Sequence, residues 1–467
     1  MEDLQEKDKF SDTLEFLDRA REDLDAGELP LGIFARRDVF ELENIKFWPR
    51  VWHFLGHEGE IPNPGDYILR NIGPRNQVIV VRGEDGEIRG FLNACRHRGR
   101  AFCKTEKGNA AYFRCPYHFW TYSNKGELVG VPQDNTFKIN RREYNLIPVR
   151  VESYRGFLFG NMDRKAEKLE DYLGEYKWYI DIAIRGGELE VYKSPIRWIV
   201  NMNWKAPVDN FGSDSYHIAF THRSTYQISA NPLRLEDVGL SPPEGVQKNV
   251  GFSGYQFASE KGHGGGITSF YDITPENLDK IDKLDVPAKI YEIYPKNTLD
   301  VLSEKLSSEQ LRVLKLEMLT LALFRIRVFP NFAFILHSLN AGDSEQKYTQ
   351  DYLARLWRPV DYDKTEVFTL CMIPSFADEK YKRESFRQCV FLQGPAGILD
   401  NDDVMNWMSQ TENSKNSLDL NMALKQRQNE GTVDNFPLPH SEMKVYREPS
   451  DWSSKAFWRK YFDLMLR

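Results

Sequence analysis

Two short stretches, Cys95-Arg96-His97 and Cys115-Pro116-Tyr117-His118, are separated by seventeen residues, and each offers one thiolate and one imidazole. That mixture suits a two-iron cluster in which one iron takes both sulfurs and the other both nitrogens. A structural zinc is the alternative, but zinc modules usually pair cysteine with cysteine in one knuckle and histidine with histidine in the other. Here each loop is mixed. The spacing points to a Rieske-type [2Fe-2S] cluster on Cys95, His97, Cys115 and His118.

A second gathering runs from Asp209 to His222 and holds Asp209, Asp214, His217 and His222 within fourteen residues. The pattern predicts a helix over Trp204 to His222. On that helix Asp214 and His217 stand about 60° apart, so the carboxylate could accept a ring N–H and fix the imidazole's tautomer. His217 and His222 stand about 140° apart and converge on one ion only if the helix bulges or ends between them. By spacing alone they are equally ordinary polar positions on a partly exposed helix. Two histidines and one carboxylate on one face of a ferrous ion, with other positions open, form the arrangement that binds oxygen. With a cluster upstream to supply single electrons, the two gatherings together suggest reductive oxygen activation.

Elements must hold these loops in place. Residues 8–26 carry Phe10, Leu14, Leu17 and Leu24 at helical spacing and close at Gly27 and Pro30; Asp38 and Glu41 read as a capping pair for a second helix bounded by Pro49. From Trp52 to about Asp163 the texture turns to β-rich runs, at Asp66 to Leu69, Val78 to Val81, Ile88 to Leu92, Ala111 to Arg114 and Phe157 to Phe159. Both ligand pairs then sit on loops at strand ends, where a sheet can hold them close together. The charged segment Lys165 to Lys177 reads as helix and as the domain boundary. Beyond it come strands at Leu189 to Tyr192 and Arg197 to Val200, a loop-rich tract over 225–265 ending in the glycine-rich turn Gly262 to Gly266, and a helix capped by Ser307 and Gln310. Strands follow at Phe324 to Phe329, Phe332 to Ser338 and Thr349 to Pro359, then helices near Asp402 to Ser414 and Ser453 to Leu466. Phe332, Phe334 and Leu336 alternate with Ala333 and Ile335, so one face of that strand could line an apolar cavity. The charged stretch Pro275 to Glu304 suggests no function.

A chain of 467 residues exceeds one comfortable core, and the divisions fall at 1–44, N-terminal helices on the catalytic domain, 45–163, the cluster domain, and 164–467, the catalytic domain. Hydrophobic residues at 41% and charged residues at 28% are ordinary for a globular protein. A net charge of −7 leaves no basic footprint for nucleic acid or an anionic membrane. The charged N-terminus lacks the order of a secretory signal, and no apolar run reaches the about eighteen residues of a membrane span, so a cytoplasmic location is expected. Five cysteines do not suggest a disulfide framework, and Cys103, Cys371 and Cys389 are expected as buried small hydrophobes.

The Cys95-x-His97 and Cys115-x-x-His118 loops, the Asp38 to His53 and Trp204 to His222 segments and the run Gly394 to Asp403 together resemble the large (α) subunits of the Rieske non-heme iron aromatic-ring-hydroxylating dioxygenases, across nearly the whole chain. The resemblance implies an α+β fold: an all-β Rieske domain plus a catalytic domain with an antiparallel sheet covered by helices, of the helix-grip (START/Bet v1-like) kind. It implies that His217, His222 and Asp403, rather than the neighbouring Asp402, hold a mononuclear Fe(2+). It makes Asp214 the carboxylate that links an iron-ligand histidine to a cluster histidine, here His118, in an adjacent subunit. Asn210, Phe211, Ile218 and Leu399 fall near the substrate, and Trp120 is expected against the cluster loop. A trimer of α chains follows, with a small β subunit in an α3β3 assembly. The chain has no Gly-x-Gly-x-x-Gly fingerprint, so electrons from NAD(P)H come through a separate reductase and ferredoxin. The implied reaction adds O2 to an aromatic ring as a cis-dihydrodiol. A monooxygenase of the same architecture, an electron carrier and a zinc-stabilised binding protein are the competing readings.

Overall fold

Runs such as Val78-Ile79-Val80-Val81, broken by turn residues, build an all-β unit out of residues 43–172, one of two units in this computed structural model. The structure describes residues 9–136, 139–223, 248–271, 284–339, 349–416, 422–427, 431 and 443–467. The strands of this unit are β1 (His53–His57), β2 (Asp66–Ile72), β3 (Asn76–Arg82), β4 (Ile88–Leu92), β5 (Lys107–Asn109), β6 (Tyr112–Arg114), β7 (Thr121–Ser123), β8 (Leu128–Gly130), β9 (Pro148–Tyr154) and β10 (Phe157–Asn161). A seven-stranded antiparallel sheet runs in the order β1-β10-β9-β4-β3-β2-β5, and β6-β7-β8 form a small second sheet. Side chains alternate faces along a strand. Val78 and Val80 therefore enter one core with Leu55, Ile68 and Ile72, whereas Ile79 and Val81 enter another with Tyr67, Leu69, Phe91 and the cysteine loops. Residues 164–172 stay with this unit beyond the expected boundary because their backbone is tied to it. Glu167 O accepts from Trp52 Nε1 at 3.2 Å, and Leu169 N donates to Glu152 Oε2 at 2.8 Å.

Residues 1–42 and 173–467 make the second unit. Helix α1 (Ser11–Asp25) lies against the last helix of the chain, with Arg459 Nη2 3.0 Å from Asp25 Oδ1. Asp38 does not cap a second helix. It lies inside the helix Arg37–Leu42, where its carboxylate takes bonds from Thr13 Oγ1 and Arg36 and so fastens α1 instead.

The strands here are β11 (Leu189–Val191), β12 (Ile196–Val200), β13 (Lys248–Ser259), β14 (Gly264–Tyr271), β15 (Leu323–Val328), β16 (Phe332–Leu339), β17 (Thr349–Asp361), β18 (Lys364–Pro374) and β19 (Met443–Arg447). They form one antiparallel sheet in the order β11-β18-β17-β16-β15-β14-β13-β19, with β12 also paired to β18. Helices α2 (Lys205–Ser213), α3 (Ile218–Thr221), α4 (Ser308–Thr320), α5 (Glu379–Gln393), α6 (Ile398–Asn416) and α7 (Trp452–Leu466) accompany it. The expected Ser307–Gln310 capping box opens α4, its hydroxyl accepting from Gln310 N at 3.2 Å.

Two further expectations are corrected. The glycines at 264–266 are not a flexible turn but the start of β14; a Cβ at Gly266 would collide with the Glu448 carboxylate, and one at Gly265 with the Arg325 backbone. Glycine is required there by close approach of neighbours. Cys371 and Cys389 are not separate buried thiols but a disulfide joining β18 to α5, their Cα atoms 6.4 Å apart. Sequence spacing could not reveal that pairing, because α5 folds back over the sheet. Residues 224–247, 272–283 and 340–348 lie outside the described residues, and with them most of the loop-rich tract and the first part of the charged stretch from Pro275.

Candidate metal centres and active site

Both cysteine loops are closed by their own backbone. Cys95 N donates to Arg100 O and Gly99 N to Cys95 O, with Gly99 at φ 71°; Cys115 N donates to Trp120 O and Phe119 N to Cys115 O. Phe119 carries φ 58° without being glycine, which reverses the chain directly after His118. The thiols face inward, Cys95 and Cys115 being 4% and 2% exposed, while His97 and His118 stand half-buried at the rim with ring centroids 4.4 Å apart. Burial pushes the Cys115 thiol up, and the adjacent Cys95 adds to the shift. Trp120 stacks on His97 at 4.9 Å and 8°, as expected of it. Tyr122 OH accepts from Arg96 N at 3.0 Å and lies 3.4 Å from Cys95 Sγ, which pins the first loop from below. Paired thiols inside and paired imidazoles outside fit a cluster with one sulfur-bound and one nitrogen-bound iron.

The second site depends on a break in the helix expected over 204–222. α2 ends at Ser213, Asp214 is extended at φ −90° and ψ 100°, and the chain turns before α3 begins. Asp214 makes that turn by accepting from His217 N at 3.1 Å. The break removes the 140° divergence of an unbroken helix. His217 Nε2 and His222 Nε2 now lie 3.4 and 3.3 Å from one oxygen of Asp403, which α6 brings in from the far end of the sequence. Two donors each about 2.1 Å from one ion, at an angle between about 90° and 110°, lie about 3.0–3.4 Å apart, so each imidazole fits a metal shared with Asp403, and the three donor atoms all lie within 4.8 Å of one another.

Each imidazole also has its back nitrogen on a separate carboxylate. His217 Nδ1 is 3.3 Å from Asp214 Oδ2, and His222 Nδ1 is 3.3 Å from Asp402 Oδ2. A carboxylate can only accept, so Asp214 and Asp402 hold a hydrogen on each Nδ1, which would leave each Nε2 free to offer its lone pair to an ion shared with Asp403. Asp402, the nearest rival to Asp403 in the sequence, thus faces the wrong nitrogen to share an ion. Burial alone would lower the His217 pKa, but Asp214 and Asp403 outweigh it and raise it to about 10. Burial likewise opposes the charge on Asp403, yet bonds from both histidines hold it well below the usual carboxylate range.

A cavity that is partly open to solvent lies on these donors. Asn210, Phe211, Ile218 and Leu399, expected near the substrate, all line it. Strand β16 turns its Ile335 and His337 face to the cavity and its Phe334 face away. Sequence reasoning missed His337, Gln393 and Arg325, which also line it. A signal existed for the first: His337 ends the apolar run Phe332 to Leu336 while still within the expected strand. A second cavity shares Asn210, Asp214 and His217 with the first and is otherwise walled by polar groups such as Ser213, Thr221, Asn406 and Gln410, so Asp214 stands between the two.

An all-β unit with a two-cysteine, two-histidine set and a second unit with two histidines and a carboxylate at a cavity together define a Rieske-type non-heme iron oxygenase. Residues 51–154 match the Rieske [2Fe-2S] domain and residues 169–438 the ring hydroxylating alpha subunit (catalytic domain). The large oxygenase component of the naphthalene 1,2-dioxygenase system of Pseudomonas fluorescens is 32% identical over 82% of this chain and 79% of its own length. The alpha subunit of an N,N-dimethyl phenylurea N-demethylase of Sphingobium sp. (strain YBL2) is 32% identical over 84% of this chain and 81% of its own. The crystal structure of naphthalene 1,2-dioxygenase from Rhodococcus sp. bound to indole superposes with a TM-score of 0.81 at 33% identity, covering 97% of this chain and 98% of that one. The chain belongs to the ring-hydroxylating alpha-subunit family. It is an oxidoreductase of the dioxygenase type whose cofactors are a Rieske [2Fe-2S] cluster and a mononuclear iron, working in a multicomponent system with an aromatic substrate and electron-transfer partners. No helix among the described residues is long and apolar enough to cross a membrane.

Proposed function

We propose that this chain is the terminal oxygenase that adds both atoms of O2 to neighbouring carbons of an aromatic ring, giving a cis-dihydrodiol in aromatic hydrocarbon catabolism. The observation that carries the reading is the convergence of His217 Nε2, His222 Nε2 and Asp403 at the mouth of a cavity walled by Phe211, Ile218 and Leu399. When bound, the cluster supplies single electrons and the ferrous iron activates oxygen.

The chain's own residues do the rest. Cys95 and Cys115 hold one cluster iron, His97 and His118 the other. His217, His222 and Asp403 hold the mononuclear iron, and Asp214 and Asp402 keep both histidines in the ligating tautomer. Phe211, Ile218 and Leu399 seat the ring by its faces and exclude water, with Asn210 the polar group among them. Asp214, on the wall of the second cavity, is the bridge to His118 of an adjacent copy, which requires a ring of at least three α chains and admits a small β subunit in an α3β3 assembly. A ferredoxin and an NAD(P)H reductase deliver the electrons.

Turnover of aromatic hydrocarbons with reductase, ferredoxin and 18O2 tests the proposal. Products carrying two labelled oxygens on adjacent carbons are expected. A single labelled oxygen, or loss of an N-methyl group as in the phenylurea demethylase relative, would reassign the chain to monooxygenation.

A further inference from the structure

Dihydroxylation of a bare ring makes no use of the polar wall that β16, β17 and α5 build into the cavity. His337 Nδ1 lies 3.0 Å from both carboxylate oxygens of Asp351, which is fully buried. Gln393, the last residue of α5, is held at both ends by Arg355: its side-chain oxygen accepts from Nη1 at 3.3 Å and its backbone oxygen from Nη2 at 2.7 Å. Arg355 is itself buried and forked onto Asp400 at 2.5 and 2.9 Å.

These contacts fix the hydrogens. A guanidinium only donates, so the Gln393 oxygen faces Arg355 and its NH2 faces His337, with Nε2 to Nε2 at 3.3 Å. A carboxylate only accepts, so His337 carries its hydrogen on Nδ1 and offers Nε2 as an acceptor. The wall thus presents one N–H donor and one imidazole acceptor side by side, in the same cavity as Phe211 and Leu399. The guanidiniums of Arg355 and Arg325 are matched by Asp400 and Glu448, and the buried Asp351 is hydrogen-bonded by the neutral His337. An anionic substituent would find no free counter-ion in these groups, and a purely apolar ring would cover polar groups without pairing them.

We infer that His337 and Gln393 select an uncharged aromatic bearing a ring hydroxyl, whose O–H donates to His337 Nε2 while its oxygen accepts from the Gln393 amide. This rests on the aromatic-ring reading of the site. Because the two groups can reach one another at 3.3 Å when no hydroxyl intervenes, the preference is smaller than for an obligate pairing, about 10- to 100-fold over the unsubstituted ring.

The test is equilibrium binding of 2-naphthol, naphthalene and 2-naphthoate to the metal-loaded protein, alongside competitive turnover of the same three. In the parent, 2-naphthol is expected to bind at least tenfold more tightly than either of the others. In Gln393→Met, which keeps the backbone carbonyl on Arg355, that ratio is expected to fall to within about threefold of one. Equal binding of naphthol and naphthalene by the parent, or tighter binding of naphthoate, overturns the inference, as does a Gln393→Met protein that keeps the full ratio. Should none of the probes turn over while the binding ratio holds, the dioxygenase reading fails and the hydroxyl-selecting wall stands.

Discussion

Asp402 and Asp403 are adjacent in sequence, yet the structure gives them opposite relations to His222, and exchanging each for asparagine separates the two roles. Asp403 places one oxygen 3.3–3.4 Å from both Nε2 atoms, whereas Asp402 meets the Nδ1 of His222 at 3.3 Å. A carboxylate that holds a ligating histidine from behind contributes about 10- to 100-fold in metal affinity. Asp402 has a 28% exposed side chain, so solvent screens it and the lower end applies: about tenfold, or about 1.4 kcal/mol. Asp403 is 12% exposed and on the proposed reading supplies the anionic donor itself, so its loss is expected to exceed the about 100-fold that a supporting carboxylate can account for. The assay is ferrous-ion titration of protein stripped at the mononuclear site, with the visible absorbance of the cluster recording that the other centre is intact. If Asp402→Asn empties the site while Asp403→Asn stays within tenfold of the parent, the ligand and its supporter have been interchanged and the geometric reasoning fails.

Asp214→Ala is expected to abolish electron delivery to the mononuclear site while both iron centres stay loaded at saturating iron, as read by single-turnover oxidation of a pre-reduced cluster; a loss of mononuclear-iron affinity beyond the about 100-fold of a supporting carboxylate would mean that Asp214 ligates rather than bridges. Asp209 is half-buried, and its desolvation raises its pKa from 3.8 to about 6 although Ser454, Arg327 and Trp458 stabilise the anion. Its folded-state pKa lies above the unfolded one, so ionisation costs stability as pH rises from about 4 to about 6, and the cost is level above that. Asp209→Asn, whose carbonyl can still accept from Ser454 and Trp458, should therefore be more stable than the parent at pH 7.5 by up to about 3 kcal/mol and show no gain at pH 4; denaturant midpoints that fall at pH 7.5 would refute this. Joint replacement of Cys371 and Cys389 by alanine opens a loop of 18 residues' separation and should lower unfolding free energy by about 3 kcal/mol, whereas a loss under about 0.5 kcal/mol would show that the crosslink does not form.

The sequence alone determined whatever depends on neighbours along the chain. The cluster loops were legible because each brings a thiolate and an imidazole within four residues, and the all-β unit because alternating residues such as Val78 to Val81 must face opposite sides of a sheet. The Ser307 capping box was legible for the same local reason. Asp403 was reached through family resemblance, since no spacing rule links it to His222.

Tertiary structure decided the convergences. It broke the helix at Asp214, without which His217 and His222 diverge, and it set Asp402 and Asp403 on different nitrogens of one ring. It threaded glycines 264–266 into a strand because Glu448 and Arg325 crowd them, and it joined Cys371 to Cys389 across β18 and α5. The relay from Asp351 through His337, Gln393 and Arg355 to Asp400 spans two strands and two helices. Local pattern fixes which way a side chain leaves its own element, but which carboxylate meets which imidazole depends on how the elements pack, and that is settled only when the whole chain has buried its core.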